Sequence, residues 1–133
     1  MLSVINNFFN KLNENGIVYC HWKSNERIEN FLEGESDLDL LFYNSDKEKV
    51  KKIFEQIDAK KFEALPLKKY ENIIDYLHVD KKTGKLIHFH VYFKLELGEP
   101  NVKQYLVPWV DEILRNRVKH ENFDVWIPSH EHE

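Results

Sequence analysis

Two aspartates one residue apart, Asp37 and Asp39, stand in the run Gly34-Glu-Ser-Asp-Leu-Asp-Leu-Leu-Phe42. Leu38 to Tyr43 is an apolar, β-rich run, so the spacing predicts a buried strand with both carboxylates on one face, roughly 6.5–7 Å apart. Two charges at that distance repel by roughly 0.6 kcal/mol in water and by about 2–2.5 kcal/mol at an effective dielectric of 20. The apolar neighbours Leu38, Leu40, Leu41 and Phe42 favour the second regime. Such a pair needs compensation, and a divalent cation supplies it with the oxygen ligands that hard cations prefer. Phosphoryl and nucleotidyl transfer use this chemistry: a metal bridges phosphate oxygens and neutralises developing charge.

Asp-x-Asp by itself also fits two solvated acids at a strand end, or acids paired with lysines. An EF-hand does not fit, because position 41 is leucine and the required glycine is missing. A glycosyltransferase Asp-x-Asp normally follows a longer nucleotide-binding unit than the 36 residues available here.

Further groups lie at suggestive spacings. Lys23 and Ser24 follow the short strand predicted for Ile17 to Trp22, where Ser24 could donate to a phosphate and Lys23 add charge. Gly34 and Ser36 lead into the aspartates. His88 and His90 share one face of a strand predicted for Leu86 to Phe93. Imidazole suits manganese or zinc better than magnesium, and it also suits phosphate contact or proton transfer. Asp75 falls opposite His90 on the same face if the hairpin loop spans residues 81–84, and on the other face if the register slips by one. His21 and His78 read as local hydrogen-bonding residues, and Cys20 as a packed one. Trp109 and Trp126 read as core or cover. Lys103, in Gly98-Glu-Pro-Asn-Val-Lys103, reads as a surface lysine near a cleft loop. His130 and His132 read as part of a mobile tail.

The elements that must carry these groups follow from periodicity. Val4, Ile5, Phe8, Phe9 and Leu12 predict an amphipathic helix over residues 3–15, ended by Gly16. Residues 25–32 fit a short helix or a loop. Ser45-Asp-Lys-Glu48 has the spacing of a capping box, and Val50, Ile53, Phe54 and Ile57 give the helix after it, from about 46 to 58, an apolar face. Lys47, Lys49, Lys51 and Lys52 then form a solvated face. Ile73 to Val79 and Leu86 to Phe93 predict a hairpin around Asp80-Lys-Lys-Thr-Gly-Lys85. Pro108 to Asn116 reads as helix and Asp124 to Ile127 as a last short strand. The order predicts an α/β or α+β domain, a mixed sheet flanked by helices.

The chain has 133 residues, enough for one domain, with 42% hydrophobic residues to fill its core. A net charge of −4 gives no indication of nucleic-acid binding. One cysteine excludes an internal disulfide and a cysteine-based zinc finger. Asn6, Asn7, Asn10 and Lys11 break any apolar signal segment, and no run approaches a membrane span, so a cytoplasmic domain without membrane contact is expected.

These blocks together resemble the polymerase-β-type nucleotidyltransferase superfamily: a Gly-Ser-like turn after the first strand, a short helix, then Asp-x-Asp on the next strand. Lys23-Ser24 stands in place of the Gly-Ser turn, and the serine-to-aspartate separation is slightly longer than typical. More narrowly, the chain is similar to a bacterial nucleotidyltransferase-like group. Trp22-Lys23-Ser24, Gly34-Glu-Ser-Asp-Leu-Asp, His88-Phe-His90-Val91 and Leu95-Glu-Leu-Gly98 carry that likeness, over about residues 17–110. Members of the group occur near surface-polysaccharide genes.

The resemblance implies a nucleotidyltransferase-like fold over residues 1–133. It implies transfer of a nucleoside monophosphate from an NTP to an unidentified small-molecule, saccharide or macromolecular acceptor. Asp37, Asp39, His88 and His90 would bind a divalent metal, Mg or Mn, with Asp37, Asp39 and His88 catalytic. Lys23, Ser24, Gly34 and Ser36 would hold the nucleotide. Where the superfamily places a third acid on a strand beside Asp-x-Asp, this sequence offers the two histidines, with Asp75 as a substitute acid. A catalytically inactive nucleotide- or metal-binding module, or a partner-interaction domain, of the same fold is the alternative. Related proteins carry a helical region after the core, and the expectation is a core without it.

Overall fold

A computed structural model describes residues 1–23, 25–62, 73–94 and 110–129. Helix α1 (Ser3–Glu14) buries Ile5, Phe8, Phe9 and Leu12, the i, i+3, i+4, i+7 set of one helix face. Gly16 ends it with φ +65°, a left-handed conformation that costs glycine little. Strand β1 (Tyr19–His21) is followed by a 3₁₀ turn at Asn25–Arg27 and the short helix α2 (Ile28–Leu32). Strand β2 (Leu38–Phe42) carries the aspartate run, and α3 (Lys47–Gln56) buries Val50, Ile53 and Phe54.

The capping box does not form. Asn44–Asp46 is a 3₁₀ turn, Asp46 takes the N-cap position, and no side chain caps the helix. The turn occupies the residues that the box would need in extended conformation.

The hairpin of β4 (Ile73–Val79) and β5 (Leu86–Tyr92) forms as expected, closed by the Asp80 N–H on the Lys85 carbonyl. Its register pairs Val79 with Leu86 and Asp75 with His90. The strand order is β1-β2-β5-β4-β3, where β3 (Lys60–Phe62) is an edge strand beside β4. β2 and β5 run parallel and the other neighbours antiparallel, so the sheet is mixed. A second, two-stranded sheet joins β6 (Val118–Lys119) to β7 (Trp126–Ile127). Residues 110–115 are helical, the described part of the helix expected over 108–116. Among the described residues no helix is long and apolar enough to cross a membrane.

The two faces of the five-stranded sheet have different work. One packs α1, α2 and α3 against Leu38, Leu40, Phe42, Ile87, Phe89 and Val91. Phe89 sits at its centre, with the rings of Phe8 and Phe54 at 4.9 and 5.2 Å. The other face is divided. Val110, Ile113 and Leu114 cover Cys20, Leu41 and Tyr92 at one end. At the other end stand the alternate residues Asp39, His88 and His90, which a period of two must place opposite Leu40, Ile87 and Phe89.

Candidate metal and nucleotide site

The sheet register brings the expected residues together. Asp39 on β2 pairs with His90 on β5, and His90 pairs with Asp75 on β4. One cross-strand row therefore reads Asp39, His90, Asp75. Asp37, just before β2, reaches His88 in the adjoining position: His88 Nδ1 lies 3.1 Å from Asp37 Oδ1 and His88 Nε2 2.7 Å from Asp75 Oδ1. His90 Nδ1 lies 3.6 Å from Asp39 Oδ1, and His90 Nε2 3.7 Å from Asp75 Oδ1. Three carboxylates thus surround two imidazoles whose rings lie 5.7 Å apart, tilted by only 20°.

The carboxylates differ in environment. Asp39 is 14% exposed and Asp37 56%, so Asp39 is the more strongly oriented of the two. Asp75 is closer to Asp39 in this respect.

A chain of contacts extends the cluster toward β1. Tyr92 continues the period-two series of His88 and His90, and its Oη lies 3.1 Å from His90 Nδ1. Lys23 Nζ donates to the same Oη at 3.3 Å and lies over the rings of Trp22 and Tyr92, at 4.6 and 5.3 Å from their centroids. Burial, then the charges of Asp39, Asp75 and Asp37, push the Tyr92 phenol far above its ordinary value, so it remains a neutral hydroxyl.

Lys23 therefore stands at the margin of the cluster and not within it. Gly34 does not reach the carboxylates either. It adopts φ +75°, and a side chain added there would meet Leu2, Ile87 and Lys85. Ser36 is exposed, with no hydrogen bond to the cluster. Ser24, Lys103, Trp109, His130 and His132 lie outside the described residues. His78 meets the carbonyl of Asp58, 20 residues earlier, at 3.4 Å, so its hydrogen bond is not the local one expected, and Trp126 is covered by Arg117, 3.9 Å above its ring.

Two contributors escaped the sequence reading. Tyr92 was readable by carrying the alternation one step past His90. The second is the link from His21 to Asp39: His21 makes the local hydrogen bonds expected of it, with Asn25, but its ring is also fully buried and stacked on Phe31 at 3.7 Å. Its Nδ1 lies 2.8 Å from Asn25 Oδ1, and its Nε2 accepts the Asp39 backbone N–H at 3.2 Å. Burial pushes the ring down to about 4, so it is neutral at pH 7.

The donor set suits a divalent cation in kind, combining carboxylate oxygens with imidazole nitrogens. In placement it does not yet do so. The imidazole nitrogens lie against the carboxylate oxygens, and among the described residues no three His, Cys, Asp or Glu side chains form a group able to hold a metal ion. No family model, curated protein or solved structure matches this chain.

Proposed function

We propose that this chain is a nucleotidyltransferase-type domain in which an oxygen of a hydroxyl- or phosphate-bearing acceptor attacks the α-phosphorus of an NTP, taking the nucleoside monophosphate and releasing pyrophosphate. The observation that supports this reading best is the row Asp39, His90, Asp75, with Asp37 beside His88 on the same open face. It sets three carboxylates around one patch of sheet, one more than the sequence motif alone supplies. Asp37, Asp39 and Asp75 would hold a divalent cation once His88 and His90 turn away from them. Such a cation supplies charge neutralisation and alignment of phosphate oxygens.

The chain's own residues do the rest. Asp39 is held by its backbone and by partial burial, so its carboxylate keeps one direction. Lys23, fixed over Trp22 and Tyr92, adds positive charge beside the cluster for an incoming triphosphate. The neutral Tyr92 hydroxyl bridges Lys23 and His90 and keeps both near the carboxylates. His88 stands within hydrogen-bond reach of Asp37 and Asp75, and, turned toward the acceptor, His88 and His90 suit proton transfer there.

A second reading, nucleotide and metal binding without turnover, has one observation in its favour. The residue on β5 directly beside Asp39 is His90, and the third carboxylate lies a strand further on. Labelled NTPs incubated with the protein, Mg²⁺ or Mn²⁺ and a panel of acceptors separate the readings. Transfer that disappears in Asp37→Ala and Asp39→Ala supports the enzyme. Metal-dependent calorimetric binding of ATP without product supports the module. No binding of any nucleotide removes both.

A further inference from the structure

We propose that His21 is a positioning residue for Asp39, taking over a strand hydrogen bond at the point where β1 turns away from β2. The register Tyr19–Phe42, Cys20–Leu41, His21–Leu40 sets Trp22 opposite Asp39. A hydrogen-bonded antiparallel pair exchanges two backbone bonds. Here one is made: Trp22 N–H donates to the Asp39 carbonyl at 3.1 Å. The Asp39 N–H goes instead to the His21 side chain, at 3.2 Å from Nε2. The chain can then leave the sheet toward Lys23 while both backbone groups of Asp39 stay bonded.

The surroundings prepare His21 for this task. Asn25 Nδ2 donates to the His21 carbonyl at 2.9 Å, which turns Asn25 Oδ1 toward His21 Nδ1 at 2.8 Å. An oxygen there requires the proton on Nδ1, which leaves Nε2 as a bare acceptor aimed at Asp39. Phe31 of α2 stacks on the ring, 13° from parallel, and fixes its plane. Asn25 is itself buried, so the ring and the amide form a closed polar unit inside the core. The unit ties the 25–32 segment to the backbone of one acidic residue. Groups behind a ligand often matter for metal sites nearly as much as the ligand.

The metal arm of the test rests on the proposed function; the backbone arm does not. In ¹⁵N-labelled wild type, NMR should show His21 as the Nδ1–H tautomer, with a scalar coupling across the hydrogen bond from His21 Nε2 to the Asp39 amide nitrogen. In His21→Leu the Asp39 amide should exchange faster while Leu41 and Phe42 keep their protection, and the Asp39 χ1 angle should become averaged. His21→Gln, which retains an acceptor, should restore both. Mn²⁺ affinity, read by water-proton relaxation, should fall about tenfold or more in His21→Leu and recover in His21→Gln. Absence of the coupling in wild type overturns the proposal, and so does an unchanged Asp39 amide and χ1 in a folded His21→Leu. If His21→Leu does not fold, the wild-type coupling and His21→Gln decide. A wild type that binds no Mn²⁺ while Asp39 responds to His21 removes the proposed function and leaves the positioning role standing.

Discussion

Asp75 stands opposite His90 across the β4–β5 pair, and its Oδ1 is shared by two imidazoles, 2.7 Å from His88 Nε2 and 3.7 Å from His90 Nε2. The backbones of Asp39 and Asp75 are two strand spacings apart, about 9.6 Å. Their carboxylates can meet one cation only by leaning across His90. Asp75→Asn keeps the shape of the side chain and removes its charge. It should lower Mn²⁺ affinity at least tenfold, the scale seen even for groups behind a ligand, and leave the fold intact. Titration calorimetry with Mn²⁺ reads this directly. Wild-type affinity in Asp75→Asn would reduce Asp75 to a hydrogen-bond partner of His88.

Gly34 serves the site at one remove. A Cβ at Gly34 would come within 2.8 Å of Leu2 Cδ1, and φ +75° strains any other residue. Gly34→Ala should therefore cost about 1–3 kcal/mol in urea unfolding. A larger loss of Mn²⁺ affinity than of stability would return Gly34 to the binding site itself. Equal behaviour to wild type in both would show that the turn relaxes freely.

The fold was legible where the chain repeats with one period. Ile5, Phe8, Phe9 and Leu12 announce α1, and Ile87, Phe89 and Val91 alternate with His88 and His90 on β5. The Asp75–His90 pairing followed from a loop of residues 81–84, because loop length sets register. The three-residue β1 and two-residue β7 fell inside strands read from apolar runs, but two other short elements were not legible. β3 (Lys60–Phe62) and β6 (Val118–Lys119) are too short and too charged to show any period. Nor could the capping-box spacing of Ser45 and Glu48 reveal that a 3₁₀ turn takes its place. His21 stayed hidden for another reason. Its importance lies in one tertiary hydrogen bond to the Asp39 backbone, which no local pattern announces.

His21 also sets a pH dependence. Its folded value of about 4 lies below the ordinary 6.5, so the unfolded chain binds the proton more tightly. The buried neutral ring thus contributes stability that is complete above about pH 6.5. That stability is lost as pH falls from there to about 4, and the loss levels off below. The difference corresponds to on the order of 3 kcal/mol for this fully buried ring. Urea unfolding of wild type and His21→Gln at pH 7.5, 6, 5 and 4.5 isolates it from the carboxylates, which titrate in both. The two stabilities should converge as pH falls. Parallel curves would show that His21 is not buried neutral.

Phe89 tests whether core and site separate. It lies between His88 and His90 in sequence and points to the opposite face, fully buried among Phe8 and Phe54. Phe89→Ala should cost about 3–5 kcal/mol, through lost transfer energy and the cavity it leaves. Phe89→Leu should cost less and bind Mn²⁺ as wild type does, because its neighbours on β5 keep their strand direction. Weakened Mn²⁺ binding in a well-folded Phe89→Leu would show that the core packing tunes the imidazoles.

The carboxylate cluster should give Asp39→Asn opposite effects on stability without and with metal. Asp39 shares its face with Asp37 and Asp75, and 14% exposure gives it little water to screen the repulsion. Like charges about 7 Å apart cost roughly 0.6–2.4 kcal/mol, depending on the effective dielectric. Asp39→Asn removes that repulsion with almost no change of shape. In metal-free buffer at pH 9 the variant should be more stable than wild type, by about 1 kcal/mol. Saturating Mn²⁺ should reverse the order. A cation at a hundred times its Kd stabilises the form that binds it by about 2.7 kcal/mol, and the variant gains little of this. A crossing of the two unfolding free energies between metal-free and Mn²⁺ buffers would mark Asp39 as a residue kept for its ligand at the expense of stability. An Asp39→Asn protein less stable than wild type in both buffers would show instead that the contact of its carboxylate with His90 Nδ1, at 3.6 Å, outweighs the repulsion, and that Asp39 belongs to the structure of the sheet.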